Sequence, residues 1–326
     1  MLNWNSLNKI ISKSENIVLS THVNPDADGI GSEIGMYYYL KAIGKNCKII
    51  NISPTPLFLD FIDPDDIIEK YDSSIHDILF KEFNLAIAFD IGDYKRLYDI
   101  SDNISKNHIY SVSIDHHPYN DNFFDLPLVD TSFAATGHMV WEFLKFNDFL
   151  NFSLVQAKAL YAALITDTGS FRYNSTNNKC HLMAAHLLEN GVKPYDIYES
   201  IYERRSLEQI KLLASSINSL SFHYNGIICG CIITKEMQEL IGADSSHIEG
   251  FTDFFRSINK VQIAYCIVEQ EKNIRINFRS RGKYIINDVA KSFGGGGHKL
   301  AAGATVSGKT ASEIETEILQ LLKRKI

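Results

Sequence analysis

Four short apolar runs constrain the fold more than anything else in the chain. "IVLST" (17–21), "KIINI" (48–52), "LAIAFD" (85–90) and "YSVSID" (110–115) are hydrophobic almost throughout, and stretches of helical periodicity such as "SEIGMYYYLKAIG" separate them. A strand with one wet face alternates polar and apolar side chains. A strand covered on both faces does not, so these runs predict a mostly parallel sheet with helices as crossovers.

Helical patterns then dominate from about 135 to 220, in "TGHMVWEFLKF", "SLVQAKALYAALI" and "KCHLMAAHLLENG", the last closed by Gly191 as a cap. Past Asn225 the pattern changes again: "GIICGCIIT", "VQIAYCIVEQ" and "NIRINFRSR" read as strands of a second, α+β domain. At 326 residues and 45% hydrophobic the chain can fill two cores. The expected organisation is an α/β domain over 1–194, a helical connector over 195–222 and a smaller α+β domain over 223–326.

The polar residues sit where such a sheet binds its ligands. Asp90 closes "LAIAFD", Asp115, His116 and His117 close "YSVSIDHH", and "THVNPDADGIGS" (21–32) opens where "IVLST" stops, so all leave the carboxyl ends of strands. That edge is the ligand-binding edge of open α/β sheets, which makes separate stretches converge on one crevice. Asp167, in "ALITDTGSF", follows a helix and can close the cluster.

Taken singly, each feature has an ordinary structural reading. "NPDADG" is good turn chemistry, Asp90 can cap a turn, and "DHH" can be a hydrogen-bonded pair of histidines. Their coincidence on one edge decides otherwise. Asp26, Asp28, Asp90 and Asp167 in one crevice would repel one another unless cations lay between them, and two divalent ions supply +4 against −4. Neutral imidazoles from His22 and His116 complete the shells without adding charge. Carboxylates and imidazoles without thiolate suit Mn²⁺ best and Mg²⁺, Co²⁺ or Fe²⁺ less well, with Zn²⁺ left open by ligand type alone.

The remaining composition narrows the partners. A net charge of −7 argues against gripping a long duplex, whose affinity comes from many Lys and Arg contacts to phosphate, but leaves room for a small anion held locally. No apolar run approaches the ~18 residues of a membrane span, and the first 20 residues lack a signal-peptide pattern, so no membrane contact and a cytoplasmic location are expected. Five cysteines without a CxxC pair suggest neither disulfides nor zinc.

"HVNPDAD", "FDIGD", "DHH" and "DTGSF", in that order and followed by "FGGGGHKLAAG", resemble the DHH phosphoesterases that carry a DHHA1 domain. Within that superfamily the chain is most similar to the compact bacterial type that degrades very short oligoribonucleotides and dephosphorylates 3′-phosphoadenosine 5′-phosphate. The resemblance implies that His22, Asp26 and Asp90 hold one metal, and that Asp28, Asp90, His116 and Asp167 hold the other, with Asp90 bridging. It implies that Asp115 orients a histidine and that His117 contacts the phosphate or leaving group. Ala27 stands where the family often has glycine between the two aspartates. Pairing of subunits is a further implication of the resemblance.

Substrate recognition is expected from the second domain. Gly295, Gly296 and Gly297 follow Gly294 as a helix cap and can let backbone N–H groups approach an anion, with His298 beside them. A flexible turn is the competing reading, and the family match tips the balance. "NIRINFRSRGK" alternates Arg275, Asn277, Arg279 and Arg281. Arg279 and Arg281, near the turn, are the expected phosphate contacts, while Arg275 fits a solvated strand face equally well. With metals on one lobe and recognition on the other, catalysis is expected to need the lobes to approach.

Three functions follow: hydrolysis of two- to five-nucleotide RNAs with 3′-phosphate removal from the adenosine bisphosphate, hydrolysis of cyclic dinucleotides or their linear products, and non-catalytic nucleotide binding. The first is the expected one. The third would be signalled by a missing metal ligand, and none is missing.

Overall fold

The computed structural model describes residues 2–118 and 122–326. The chain divides into two compact units, Met1–Arg204 and Arg205–Ile326.

The first unit is built on six strands: β1 (Asn16–Thr21), β2 (Asn46–Asn51), β3 (Ile68–Lys70), β4 (Leu85–Phe89), β5 (Tyr110–Asp115) and β6 (Leu126–Val129). Their order is β3-β2-β1-β4-β5-β6 and every pairing between them is parallel, where the sequence predicted a mostly parallel sheet. Both faces are covered, which is why β4 is buried at every position. One core joins Ile17, Leu19, Ile87 and Ile114 to the helices Ala27–Ala42, Thr136–Phe146 and Leu154–Asp167. The other packs Val18, Ala86 and Ala88 against Phe80, Phe83, Ile100 and Ile104.

Chain direction across the sheet reverses between β1 and β4. Loops leaving these two neighbours go to opposite faces, and the gap they open at the carboxyl edge is the natural ligand crevice of such a sheet. One helix pair frames it. A Cβ at Gly31 would stand 2.3 Å from the carbonyl oxygen of Ala159, and one at Gly35 would stand 2.6 Å from the Leu160 side chain. The helices Ala27–Ala42 and Leu154–Asp167 therefore approach closely only because glycine occupies those positions. That approach serves the crevice, since Asp28 begins the first helix and Asp167 ends the second.

The second unit carries a mixed sheet of β7 (Ser221–His223), β8 (Ile228–Ile233), β9 (Ile263–Glu269), β10 (Ile274–Ser280), β11 (Gly296–His298) and β12 (Ala301–Val306), in the order β11-β12-β10-β9-β8-β7. Among the described residues of this second sheet only β8 and β9 pair in parallel. The helix Ala311–Lys323 covers one face through Ile314, Ile318 and Leu322, and Leu212, Phe251 and Phe255 cover the other. All five cysteines are buried free thiols. No helix among the described residues is long and apolar enough to cross a membrane.

Candidate active site

The crevice between β1 and β4 gathers the eight first-unit residues singled out in the sequence. His22 follows β1, and its Nε2 lies 3.6 Å from both Asp26 Oδ2 and Asp90 Oδ2. His116 follows β5, and its Nε2 lies 3.2 Å from Asp167 Oδ2, 3.4 Å from Asp90 Oδ1 and 3.7 Å from Asp28 Oδ2. Ligand atoms of His22, Asp26 and Asp90 fall within 4.8 Å of one another, as do those of Asp28, His116 and Asp167 and those of Asp90, His116 and His117. Asp90 belongs to two of these groups, its two oxygens facing different histidines.

Each side chain is aimed by local structure. Asp26 caps the helix Ala27–Ala42, its Oδ1 accepting from the amides of Asp28 and Gly29 at 3.0 and 3.1 Å, so Oδ2 is left to face the crevice. Asp28 is fully buried: its Oδ2 accepts from the Thr136 amide at 2.7 Å and its Oδ1 from the Gly137 amide at 2.8 Å. These are unpaired donors at the start of the helix Thr136–Phe146, whose positive end favours a carboxylate. Asp90 accepts from the Thr136 hydroxyl at 3.1 Å and holds a left-handed φ of 56°. An aspartate tolerates that conformation better than most residues, and it turns the side chain back over the strand ends.

The two histidines with outward-facing Nε2 share one device. His22 Nδ1 donates to the Val23 carbonyl at 2.8 Å and His116 Nδ1 to the Phe133 carbonyl at 3.3 Å. A carbonyl only accepts, so in the neutral ring the proton sits on Nδ1 and the Nε2 lone pair points into the crevice, as metal-binding histidines require. His116 Nε2 is buried and makes no aligned hydrogen bond. A lone pair surrounded by three carboxylate oxygens at 3.2–3.7 Å is a donor set for a cation.

His117 is held differently. Its Nδ1 lies 2.9 Å from Asp115 Oδ1 and 3.1 Å from Asp90 Oδ1. Asp115 is itself pinned, accepting from the His117 amide at 2.8 Å and, through Oδ2, from the Gly92 amide at 2.6 Å.

The electrostatics agree with the donor set. Burial, reinforced by the charges of Asp90 and Asp167, holds the Asp28 carboxyl well above its usual range. Burial also lifts Asp167 to about 6, with the Asp90 charge adding to it. Burial would raise Asp90 too, but three histidines beside it outweigh that and hold it well below the usual range. Burial opposes protonation of His22 and His116, yet the facing carboxylates win and push them up to about 9 and about 12. The same carboxylates that raise these imidazoles form a place that favours positive charge.

Several supporting groups had no signal in the sequence motifs. The Thr136 and Gly137 amides are backbone donors, and the clue to them is only a run of small residues, "AATG", ahead of an apolar-faced helix. Asn51, at the end of β2, accepts from the Thr21 amide at 2.9 Å and donates to the buried Glu33 at 2.9 Å, fixing the end of β1 just before His22.

The expected substrate residues lie in the second unit. Arg279 donates through Nε to Asp253 Oδ2 at 2.9 Å, and Arg256 pairs with the other oxygen of that carboxylate at 3.2 Å. Arg281, just past β10, donates to the Arg256 carbonyl at 2.7 Å, and its Nε is buried without a partner. Arg275 is exposed and bonds Asn277 at 3.2 Å. The glycine run is ordered structure. Gly294 has a φ of +75° past the helix Asn287–Ser292, and the Gly295 amide donates to the Ala290 carbonyl at 2.9 Å, so that amide completes the helix end. Gly296, Gly297 and His298 form β11 against β12. A Cβ at Gly295 would stand 2.1 Å from the Gly303 carbonyl oxygen, so close strand approach explains that glycine. His298 is exposed at the end of β11.

Comparison with known proteins agrees with this anatomy. Residues 16–166 match the model of the DHH family, N-terminal domain, and residues 232–326 match the DHHA1 domain. The chain is 27% identical over 310 residues to the bifunctional oligoribonuclease and PAP phosphatase NrnA of Thermus thermophilus, covering 95% of this chain and 90% of the relative. It is 28% identical over 300 residues to the protein of the same name from Bacillus subtilis, covering 91% of each. The crystal structure of an exopolyphosphatase-related protein from Bacteroides fragilis superposes with a TM-score of 0.93 at 27% identity, covering 98% of this chain and 95% of that one.

Proposed function

This chain belongs to the DHH family and carries a DHHA1 domain, and from that membership we propose a divalent-metal phosphoesterase that cuts short oligoribonucleotides, about two to five nucleotides long, to mononucleotides and removes the 3′-phosphate of 3′-phosphoadenosine 5′-phosphate. The substrate assignment draws on the NrnA relatives that the chain matches over nine-tenths of its length. The observation that carries the chemistry is the convergence of three aspartates, Asp26, Asp28 and Asp167, and two Nε2 lone pairs around a fourth carboxylate, Asp90.

His22, Asp26 and Asp90 would hold one cation, and Asp28, Asp90, His116 and Asp167 the other. The oxygen and imidazole donors favour Mn²⁺ among the common divalent ions. When bound, the pair supplies a water of lowered pKa and positive charge for the phosphoryl oxygens. The chain's own part is positioning. The Thr136 and Gly137 amides fix Asp28, and the Val23 and Phe133 carbonyls fix the two ligand histidines. Asp115 holds His117 by Nδ1, so proton delivery to the departing oxygen falls to Nε2. In the second unit, Arg279, Arg281, Gly296, Gly297 and His298 are proposed to bind the substrate's far end. The Gly295 amide already serves the helix cap, which leaves that residue a packing role there.

Purified protein with Mn²⁺, given separately 5′-pApA, a 20-mer RNA, the adenosine bisphosphate and cyclic di-AMP, is expected to turn over the dinucleotide and the bisphosphate and leave the 20-mer largely intact. Turnover of the cyclic compound alone would move the assignment to cyclic dinucleotides. No turnover of any of the four, with metal bound, would leave nucleotide binding without catalysis.

A further inference from the structure

We propose that Arg96 is a substrate contact of this site, its guanidinium binding non-bridging oxygens of the phosphate that lies over the metal cluster. The proposal rests on the phosphoesterase reading above.

Arg96 sits on the loop after Asp90, in a 3₁₀ turn spanning Tyr94–Leu97. Its backbone carbonyl accepts from the Val23 amide at 2.9 Å, which ties this loop to the one carrying His22. Its Nη1 donates to the carbonyl of Ile91, the residue next to Asp90, at 3.2 Å. The side chain is thereby anchored, at both its backbone and its head, to the residues flanking two of the candidate ligands. The residue is half-buried. Its positive charge is felt at His22, whose protonation it opposes.

What the guanidinium lacks is an acidic partner. Among the described residues Arg96 makes the one side-chain bond to Ile91 and no ion pair. Of the two arginines expected to bind substrate in the second unit, Arg279 is paired with Asp253, while Arg281, like Arg96, bonds a backbone carbonyl. A half-buried arginine with one donor spent on a carbonyl keeps four N–H groups in a planar fork, the geometry that matches two oxygens of a phosphate. A structural role would be served by the carbonyl contact and would not need an unpaired charge at the edge of a cation site. An anionic substrate accounts for both: metals neutralise the oxygens inside the crevice and Arg96 meets those facing its rim.

The test compares Arg96→Gln and Arg96→Lys with the parent in three readouts: Mn²⁺ affinity by calorimetry, competitive inhibition by inorganic phosphate, and kcat/KM on the adenosine bisphosphate and on 5′-pApA. Loss of one charge-assisted contact predicts about a 10- to 100-fold fall in kcat/KM for Arg96→Gln and a comparable weakening of phosphate inhibition, with Mn²⁺ affinity unchanged. Arg96→Lys keeps a cation and is expected to retain part of both. If phosphate inhibition and kcat/KM stay within about threefold of the parent in both variants, against the charged-contact loss expected above, the contact does not exist. If Mn²⁺ affinity falls in step with activity, Arg96 shapes the loop instead, and the proposal is overturned. Should the parent hydrolyse neither substrate, metal-dependent phosphate binding in parent and variants still decides the Arg96 question separately from the proposed function.

Discussion

Asp90→Asn is expected to lower kcat by about 10³-fold or more, because Asp90 is the carboxylate proposed to be shared by two cations, a bound cation contributes several kcal/mol of charge stabilisation, and each 1.36 kcal/mol is a factor of ten. Asp90 is 2% exposed and faces three imidazoles: His22 through Oδ2, His116 and His117 through Oδ1. An asparagine presents one oxygen and one NH₂ at the same places, so at best one side of the bridge survives. Asparagine also suits the left-handed φ of 56° and can still accept from the Thr136 hydroxyl, which makes the variant a test of chemistry rather than of folding. The check is steady-state kinetics beside a thermal melt of the metal-free protein. Near-parental kcat in a folded variant would remove the bridge from the account.

Asp28→Ala is expected to cost stability as well as activity. Two buried amides, those of Thr136 and Gly137, end on this one carboxylate, and leaving a buried donor without a partner costs about 1–3 kcal/mol each. Relief of repulsion between Asp28 and its neighbours Asp90 and Asp167 offsets part of this in the metal-free protein, so the larger loss, roughly 2–6 kcal/mol from the two orphaned amides, is expected in denaturant unfolding with saturating Mn²⁺. Asp167→Ala is the control. Its carboxylate ends a helix, its side chain is 28% exposed, and the described hydrogen bonds give it no backbone amide to satisfy. That variant should lose activity with little change in metal-free stability. Equal destabilisation by the two changes would mean that the Asp28 amide bonds do not hold the site together.

The candidate ligands were easier to read from the sequence than the groups that hold them. Uniformly apolar strands announce a parallel sheet, and a parallel sheet puts every strand's carboxyl end on one edge, so Asp90, Asp115, His116 and the loop from His22 to Asp28 could be placed together without coordinates. The donors that fix Asp28 were not legible, because a backbone amide belongs to every residue and only the helix start makes these two available. The close approach of the helices at Gly31 and Gly35 was equally hidden: a glycine inside a helical pattern says nothing of what lies opposite. The "GGGG" run illustrates the limit from the other side. Composition suggested an open anion cradle, while tertiary structure commits the Gly295 amide to a helix end and the next three residues to a strand. The pairing of Arg279 with Asp253, 26 residues away, has no local sequence signal at all.

Calorimetric titration of the metal-free protein with Mn²⁺ at pH 7 and pH 8 tests the central idea of a cation pair most directly. His22 and His116 are raised to about 9 and about 12, so both are expected to carry protons at either pH in the metal-free protein, and since a histidine must lose its second proton to ligate a metal, binding has to expel protons. Two equivalents bound, tighter at pH 8 than at pH 7, with heats that change with the buffer's ionisation enthalpy and fewer than two equivalents for Asp90→Asn, is the predicted result. A single equivalent in the parent, or affinity that does not rise with pH, would contradict it.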